Sequence, residues 1–479
     1  YGWHVQRVED GNDLAAVETA LRAAQDDSRP SLVCLRTRIG FGAPTKQGTF
    51  EVHGSPLGPD ELRGAKAALG WPAEPAFWIP PEALANFRQA LGRGQQAEHQ
   101  WEQRRAAYER AHPAEAAEFR RVMAGELPAG WDRDLPVFPA DAKGIATRKA
   151  GEGVLQAIAA RLPELMGGSA DLNPSTFTWI KGAGDFEPAA ATQAGAQGAV
   201  GGVWSYGGRN LHFGIREHAM GAAVNGMALH GGLIPYGSTF LMFADYMRPA
   251  VRLSALCNLG SIWVWTHDSI GVGEDGPTHQ PVEHHAALRA IPGLRYIRPG
   301  DANETVWAWE VAIADRHRPT ALALSRQNVP TLDRTVYASA EGLRRGAYVL
   351  NPKVTAPDVL LLATGSELQL AVAAETQLAA KGIQARIVSM PCWELFEEQS
   401  AAYRDEVLPP AVRARVAVEA GVSLGWHRWI GLHGIAVTID RFGASAPAPT
   451  IYQQLGLTVE HVVAAARQEA RRVLRAPVD

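Results

Sequence analysis

Residues 262–281 combine a short apolar run, Ile262-Trp-Val-Trp-Thr266, with the segment His267-Asp-Ser-Ile-Gly-Val-Gly-Glu-Asp-Gly276-Pro-Thr-His-Gln-Pro281. The run is β-branched and aromatic and has the length of a buried strand. The segment after it is rich in glycine, acids and histidine and has almost nothing apolar to pack, which indicates a loop. Ligands of parallel α/β sheets bind where strands end, so the sequence predicts a binding loop here. A well-capped surface loop is the alternative interpretation.

Further apolar runs alternate with helical patterns along the chain, which favours an α/β fold with parallel sheets. Strands are predicted at 3–8, 31–37, 211–215, 262–266, 320–325, 358–363, 384–389 and 414–419. Surface helices are predicted within 80–127, a linker at 128–140, a loop at 189–202 and a helix at 366–380. No internal repeat of fixed period is present.

The predicted strands at 3–8 and 31–37 and the helix between them form a single strand–helix–strand unit, which is too small to be a domain. We therefore expect this unit to be the last part of a larger α/β domain. Asn12 is the expected N-cap of its helix, and the 3.6-residue period places one set of apolar residues on a single face. These residues are Leu14, Val17, Leu21 and Ala24.

Composition excludes several classes of protein. The 479 residues suggest about three domains, and 46% apolar with 20% charged residues is ordinary for a globular chain. A formal net charge of −4 disfavours a nucleic-acid binder. Three cysteines form neither a disulfide framework nor a metal-binding spacing. No signal peptide or membrane-spanning run is evident, so we expect a cytoplasmic protein without membrane partners.

Two motifs match known signatures weakly. Residues 271–276 fit the dinucleotide pattern G-x-G-x-x-G, but two prolines follow where a phosphate-binding helix should begin. Residues 421–425 fit the hydrolase pattern G-x-S-x-G, but no acid lies between Ser423 and the downstream His427 and His433. A nicotinamide dehydrogenase stays an alternative function, and residues 421–425 are predicted to be a structural turn.

Two other sets of residues fit either a functional or a structural role. Phe240, Phe243 and Tyr246 have the spacing of one helix face, which is more typical of a core than of a binding site. Glu217 opens a predicted helix of small residues, where a carboxylate is favourable in any protein. It also follows a strand, so its carboxyl group can reach a ligand over the sheet edge.

The segment from His267 to Pro281 closely resembles the signature of transketolases, which are thiamine diphosphate enzymes. Other segments resemble the same family in the same order. They are Gly167-Gly-Ser-Ala-Asp-Leu172, Phe213-Gly-Ile-Arg-Glu-His-Ala-Met220, Ser238-Thr-Phe-Leu-Met-Phe243, Leu324-Ser-Arg-Gln327, Ala363-Thr-Gly-Ser-Glu367 and Phe442-Gly-Ala-Ser-Ala-Pro447. Pyruvate dehydrogenases and deoxyxylulose phosphate synthases share the order of domains but lack this loop.

The resemblance implies a fold and a reaction. The fold is α/β, with three-layer parallel-sheet domains of the thiamine diphosphate-binding type and a C-terminal α/β domain. The reaction is the reversible transfer of a two-carbon ketol unit from a ketose phosphate to an aldose phosphate, through a thiamine diphosphate ylide. The family acts in the pentose phosphate pathway and the Calvin cycle.

The resemblance also implies which residues act. Glu217, His279 and His53 are implied as catalytic, Glu217 by hydrogen bonding to the aminopyrimidine ring of the cofactor. The implied cofactor-binding residues are Asp171, Glu217, Phe240, Phe243 and Tyr246. The implied substrate-binding residues are His53, Arg148, Ser175, His267, Asp275, His279 and Arg326. In that set Arg148, Ser175, His267 and Arg326 hold the phosphate, and Asp275 contacts a sugar hydroxyl.

The resemblance divides the chain at 1–113, 114–330 and 331–479. These are the last part of the diphosphate-binding domain with crossover helices, the pyrimidine-binding domain and the transketolase C-terminal domain. The family's Gly-Asp-Gly…Asn motif for the diphosphate and its metal is not found in the sequence. We therefore expect most of the N-terminal domain, with the ligands of Mg²⁺ or Ca²⁺, to lie outside this chain, and no metal ligand is assigned.

The resemblance further implies a homodimer with active sites at the subunit interface. The alternative is a catalytically incomplete homologue, or a subunit that needs a separate N-terminal chain.

Overall fold

A computed structural model describes residues 1–189 and 203–475. The loop predicted at 189–202 therefore lies outside the described residues, apart from Ala189. The chain forms two compact units, Tyr1–Ala111 and His112–Asp479, each described by itself below. The domain boundaries expected near 113 and 330 stay predictions.

The first unit is a small α/β arrangement. Its elements are β1 (His4–Val8), α1 (Leu14–Asp26), β2 (Ser31–Leu35), a 3₁₀ turn (Phe50–Val52), α2 (Pro59–Ala68) and α3 (Pro81–Ala111). The strands β1 and β2 pair in parallel, with His4 opposite Ser31, and α1 is the crossover between them. The predicted strand–helix–strand unit is therefore present.

Two details of α1 differ from the prediction. The N-cap is Asp13, whose carboxylate accepts a hydrogen bond from the backbone N–H of Ala16 at 3.0 Å, whereas the side chain of Asn12 donates to Asp10. The predicted apolar face is not buried within this unit, since Leu14 is 77% exposed and only Ala20 is fully covered. A two-stranded sheet offers too little surface to cover a whole helix face.

The first half of the second unit surrounds a six-stranded, all-parallel sheet. Its elements are α4 (Pro113–Met123), β3 (Asp141–Ala146), α5 (Thr147–Ala159), β4 (Leu165–Ser169), α6 (Asn173–Thr176), β5 (Asn210–His212), α7 (Glu217–His230), β6 (Ile234–Phe240), a 3₁₀ turn (Leu241–Phe243), α8 (Ala244–Leu256), β7 (Ile262–Thr266), a 3₁₀ turn (Ile270–Val272), α9 (His284–Arg289), β8 (Arg295–Ile297), α10 (Ala302–Ala314), β9 (Thr320–Leu324) and β10 (Asn328–Thr331). The strand order is β5-β4-β6-β7-β9-β8, and β3 pairs with β10 in a separate antiparallel ribbon.

The sheet forms the middle of three layers because its strands are buried on both faces. Ile262 and Val264 of β7 pack on the side of α5 and α10. Trp263 and Trp265 point the other way, toward α7 and α8. Alternation of side chains along a strand, with both sets apolar, is what a doubly covered parallel sheet requires. The strand predicted at 262–266 is observed with those bounds.

The predicted strand at 211–215 is shorter than expected. β5 is an edge strand and ends at His212. Gly214 adopts a φ of +65°, a left-handed conformation that ends the strand pairing.

The second half of this unit surrounds a five-stranded sheet. Its elements are a 3₁₀ helix (Ala340–Arg345), β11 (Tyr348–Val349), β12 (Val359–Ala363), a 3₁₀ turn (Gly365–Glu367), α11 (Leu368–Ala379), β13 (Ala385–Ser389), α12 (Trp393–Glu397), α13 (Ala401–Val407), β14 (Arg415–Val418), α14 (His427–Ile430), β15 (Ile435–Val437), α15 (Ala448–Gln454) and α16 (Val459–Arg475). The order is β11-β13-β12-β14-β15, parallel except for β11. The predicted α/β fold class is confirmed. Among the helices in the described ranges, none combines the length and the apolar character that crossing a bilayer requires.

A buried charge network joins the two sheets. Arg298 follows β8 and is fully buried. Its guanidinium donates a hydrogen bond to Asp268 at 2.9 Å and another to Glu367. Asp268 follows β7 of the first sheet, and Glu367 follows β12 of the second. Arg289 of α9 forms a two-pronged pair with Glu419, which follows β14, at 2.7 and 2.9 Å. The carboxyl ends of strands from both sheets therefore meet through these five charges.

Removing Arg298 should be costly, because it leaves buried carboxylates without their cation. We expect Arg298→Met to lower the free energy of unfolding by about 3–5 kcal/mol, measured by denaturant unfolding of the full chain. The control is Arg161→Met, which breaks a more exposed pair with Asp134 and should cost about 1 kcal/mol or less. Equal losses for the two variants would contradict the role of the network.

Candidate active site

Two residues at the carboxyl edge of the six-stranded sheet have left-handed backbones. Asp171 follows β4 and His267 follows β7, and each has a φ of +62°. Residues other than glycine avoid this conformation, and it persists at functional sites where the surroundings enforce it. Asp171 is exposed, whereas His267 is buried.

An aromatic cluster lies beside His267. The ring of Phe240 lies 3.7 Å from the His267 ring, centroid to centroid, and stacks on Phe243 at 5.7 Å. Phe243 also contacts Tyr246 at 5.9 Å and His279 at 5.5 Å. The interpretation as one helix face is wrong, because Phe240 ends β6, Phe243 lies in the 3₁₀ turn and Tyr246 lies in α8. With Tyr246 66% exposed, the cluster lines a surface rather than a core.

Two arginines converge on the same place. Arg148, in the first turn of α5, donates a hydrogen bond to the carbonyl of Ser175 at 2.5 Å. Burial, reinforced by the nearby charge of Arg326, lowers the pKa of Arg148 to about 10. Neither arginine forms an ion pair with an acid in residues 1–189 and 203–475. Two adjacent cations without a carboxylate between them are suited to an anion such as phosphate.

The positive charges of Arg148 and Arg326 also act on His267. Burial lowers the pKa of His267 to about 3, with Arg148, Arg326 and His279 each adding to the effect. Its Nδ1 lies 2.8 Å from the hydroxyl of Thr266. The four residues predicted to hold a phosphate are thus near one another, and the lowered pKa of His267 keeps its ring neutral near pH 7.

Glu217 is the first residue of α7 and is 8% exposed. Its carboxylate has no hydrogen-bond or ion-pair partner in the part of the chain that the structure describes. Gly221, one turn later on the same face, abuts Met247 of α8, and Asn225 donates to the carbonyl of Ala250. The two helices follow parallel strands and pack on the same face of the sheet, so they run in parallel. Because Gly221 lies against Met247 and Ala250, Glu217, one turn earlier, lies level with the start of α8, just after Phe243.

The loop at 267–281 is held from behind by the second half of the unit. Gln280 donates to the carbonyls of Gly273 and Ala444, both at 2.9 Å, and accepts from the backbone N–H of Ala444 at 3.1 Å. Ser445 donates to the carbonyl of Glu274 at 2.5 Å. Sequence reasoning missed Gln280 as a functional residue, although it lies inside the quoted loop between His279 and Pro281.

The dinucleotide interpretation of residues 271–276 finds no geometric support. The next helix after this stretch begins at His284, eight residues beyond Gly276. Gly273 and Gly276 have φ values of +85° and +77°, and a Cβ on Gly271 would collide with the side chain of Gln327. Turn conformation and close packing therefore account for the three glycines.

The G-x-S-x-G stretch is a turn, as predicted. Ser423 bonds to the carboxylate of Asp440 through both its backbone N–H and its hydroxyl, at 2.9 and 3.1 Å. Among the described residues, Ser423 has no hydrogen bond to a histidine base, which a nucleophile requires.

The remaining predicted residues are exposed or half-buried. His53 follows the 3₁₀ turn of the first unit, and Asp275 lies at the tip of the loop. His279 is half-buried, with its Nδ1 3.0 Å from the hydroxyl of Thr278. The functional roles of all these residues stay predictions.

One group of possible metal ligands was not foreseen. Asp245, Glu283 and His284 offer ligand atoms within 4.8 Å of one another, and no other such group of three occurs in the described ranges. His284 is buried, with its Nε2 3.2 Å from Asp245, but both acids are exposed. An ion pair of His284 with Asp245 explains this geometry without a metal.

The fold and the site together define a class of protein. A buried carboxyl group, an aromatic surface and paired cations at one sheet edge suit an enzyme that binds a heteroaromatic ring and a phosphate ester. Family models match three segments of the chain: the transketolase thiamine diphosphate binding domain at 1–128, the transketolase pyrimidine binding domain at 143–331, and the transketolase-like C-terminal domain at 346–458. The chain belongs to the transketolase family.

The sequences of related proteins match nearly the whole chain. It is 52% identical over 466 residues to transketolase from Geobacillus stearothermophilus, covering 97% of this chain and 67% of that protein. It is 50% identical to transketolase from Halalkalibacterium halodurans, covering 98% and 68%. The chain thus spans about two thirds of the length of these relatives.

Solved structures of transketolases also superpose on nearly the whole chain. A transketolase from Leishmania mexicana superposes with a TM-score of 0.88 at 43% identity, covering 99% of this chain and 68% of that one. A transketolase from Pichia stipitis in complex with sedoheptulose-7-phosphate gives a TM-score of 0.90 at 41% identity, with the same coverages.

The expectation that the chain lacks most of the N-terminal domain is not supported. The model of the thiamine diphosphate binding domain matches residues 1–128, so the chain contains that domain's sequence beyond the predicted boundary at 113. The related expectation, that all metal ligands lie outside the chain, has no support either. The absence of the Gly-Asp-Gly…Asn motif was not a sufficient reason to expect that most of this domain is missing.

The environment of His267 makes a testable prediction. Since its pKa is lowered from 6.5 to about 3, the folded ring should stay neutral from pH 8 to pH 5. The unfolded chain takes up this proton below its ordinary pKa, so this residue's contribution makes the fold less stable as the pH falls from about 6.5 toward 3.

Histidine-selective ¹H–¹⁵N spectra can measure the titration, with His267→Gln assigning the signal and the urea-unfolded chain as the reference. A folded His267 signal that titrates near pH 6.5 would show that burial and the two arginines do not act on it as described.

Proposed function

We propose that the carboxyl edge of the six-stranded sheet is the place where this transketolase moves a two-carbon ketol unit between sugar phosphates. The observation that carries the proposal is the convergence of Arg148, Arg326 and His267 beside the aromatic cluster. A phosphate needs fixed cationic donors, and this place offers two that form no ion pair with an acid in the part of the chain that the structure describes. The donor is a ketose phosphate and the acceptor an aldose phosphate.

The residues present fit the aminopyrimidine end of thiamine diphosphate. Glu217 is an almost buried carboxyl group without a partner among the described residues, and a ring nitrogen of the cofactor can supply one. The stacked rings of Phe240 and Phe243 offer an apolar wall, and Tyr246 extends it. Thiamine diphosphate, when bound, supplies a nucleophilic carbon and an electron sink for the two-carbon unit.

Each protein group then has a distinct task. Glu217 shares a proton with a ring nitrogen of the aminopyrimidine, and Phe240 and Phe243 exclude water from that proton. Asp171 lies near the thiamine, at the end of β4.

The sugar phosphate is held by a second set of residues. Arg148 and Arg326 donate charge-assisted hydrogen bonds to its phosphate, and Ser175 and neutral His267 complete the contacts. Asp275 accepts a hydrogen bond from a sugar hydroxyl. His279 acts near the transferred two-carbon unit, and a catalytic role for His53, which belongs to the first unit, rests on the family resemblance alone.

Three further features belong to the proposal. Mg²⁺ or Ca²⁺ accompanies the diphosphate, because both bind oxygen ligands of concentrated negative charge. The enzyme is a homodimer with active sites at the interface; α7 and α8 expose Leu229, Leu253 and Leu256, which a partner subunit can cover. A cytoplasmic location accords with three free cysteines, two of them exposed.

Replacing Glu217 tests the cofactor assignment. We expect Glu217→Gln to slow ketol transfer about 100-fold or more, because the amide cannot share the proton. Hydrogen–deuterium exchange at the thiazolium carbon of the bound cofactor should slow in parallel. The matched control is Glu115→Gln, another carboxylate in a first helical turn, which should leave both rates unchanged. Unchanged exchange in Glu217→Gln would overturn the assignment.

Replacing the two arginines tests the phosphate site. Arg148→Gln and Arg326→Gln should each raise KM for ribose 5-phosphate roughly tenfold or more, since a charge-assisted hydrogen bond contributes about 1.5–3 kcal/mol. Transfer to unphosphorylated ribose should change far less. Lys143→Gln, an exposed cation nearby in sequence, serves as the control for lost charge. An equal loss with both acceptors would mean that the arginines are structural.

A further inference from the structure

A cavity of about 510 Å³ lies at the opposite edge of the second sheet from the active site. Its walls come from residues just before three adjacent parallel strands and from the end of α16. Asp358 precedes β12, Lys381 precedes β13 and Arg413 precedes β14, while Arg467 and Arg471 belong to α16. Parallel strands bring their amino ends to one edge, which is why these distant residues meet.

The cavity carries four cations and one acid. The three arginines form no ion pair within residues 1–189 and 203–475, and Lys381 donates a long hydrogen bond to the carbonyl of Gln377 at 3.5 Å. Asp358, whose carboxylate accepts the backbone N–H of Gln384 at 2.7 Å, forms no ion pair within the described residues, and one acid against four cations leaves the cavity with an excess of positive charge.

The spacing on α16 adds a second argument. Arg467 and Arg471 stand four residues apart on the same helix face. Like charges at this spacing slightly destabilise a helix, and an anion bound between them would relieve that repulsion. The preceding acid, Glu469, is buried and pairs with Arg472 instead.

We propose that this cavity binds the phosphate group of a small phosphorylated molecule. Guanidinium groups match phosphate oxygens in geometry and charge, and three of them line one concave surface. Ile383, Val412 and Val473 form apolar walls beside the cations, which suits the organic body of a phosphate ester.

The cavity is separate from the proposed ketol-transfer site. The strand β12 runs from Val359 at the cavity edge to Ala363 beside the Arg298 network. Four residue steps along a strand span roughly 13 Å. A ligand here therefore does not occupy the substrate phosphate site at Arg148 and Arg326, and the inference does not depend on the proposed roles of those two residues.

Calorimetry on the holoenzyme can test the proposal. Arg148→Gln/Arg326→Gln serves as the background, so that phosphate binding at the substrate site is removed. Inorganic phosphate, AMP and glucose 6-phosphate are each titrated at low salt. We expect one saturable site per chain, weakened by added KCl as charges are screened.

Adding Arg413→Gln/Arg467→Gln should weaken that binding by about tenfold or more. The control is Arg104→Gln, an exposed arginine of α3 far from the cavity in sequence, which should leave affinity unchanged. Tighter binding of the two esters assigns the site to a phosphorylated metabolite or nucleotide, and equal binding of inorganic phosphate assigns it to free phosphate.

Two results would overturn the proposal. One is that no probe binds the Arg148→Gln/Arg326→Gln background. The other is that Arg413→Gln/Arg467→Gln binds every probe as well as Arg104→Gln does. Thermal unfolding without ligand checks that the variants are folded.

Discussion

The buried guanidinium of Arg298 is the contact on which the arrangement of the active-site loop depends. It lies between the carboxyl ends of the two parallel sheets and binds Asp268 from one and Glu367 from the other. Burial raises the pKa of Asp268, with Arg298 opposing that effect, and Arg289 lowers the pKa of Glu419 to about 2 against the effect of burial. Charges taken out of water are tolerable only when such partners remain in place.

This network does more than join the two sheets, because it also holds the backbone of the loop that follows β7. Asp268 is the residue next to His267, so holding Asp268 also holds the left-handed backbone that turns His267 toward Phe240. Tyr452 of α15 donates to Glu367 at 2.8 Å and lies 3.4 Å from the hydroxyl of Ser269. The C-terminal part of the chain thus supports the loop from behind, while the sheet of the pyrimidine-binding part presents it.

The sequence predicts the strands well because their signal is local. Buried runs such as those at 262–266 and 320–325 need only their own apolar residues to be recognised, and these two strands differ from prediction by at most one residue, whereas the exposed ends of the strands predicted at 31–37 and 211–215 were placed too far along the chain. The helix cap at Asp13 was misplaced by one residue because Asn12 is an equally good capping residue, and only its bond to Asp10 decides between them.

Some residues of the candidate site could be named from the sequence, and others could not. The roles of Glu217, Arg148 and Arg326 came from family resemblance and stay predictions, and the structure adds that Glu217 is nearly buried and that the two arginines lie near each other. Arg298 and Glu367 are 69 residues apart, so no spacing in the sequence connects them. The cavity at Arg413 and Arg467 was missed for the same reason, since strand topology alone brings those residues together.

Native-state hydrogen exchange of the holoenzyme, read by mass spectrometry over 267–281, tests most directly whether the C-terminal part holds the loop. Glu367→Gln keeps the shape of the side chain but removes the charge that Arg298 binds. The account predicts faster exchange of the loop amides in this variant, with the strand at 359–363 still protected and Glu460→Gln, an exposed acid of α16, without effect. Loop amides that exchange in Glu367→Gln as slowly as in the unaltered chain would contradict it.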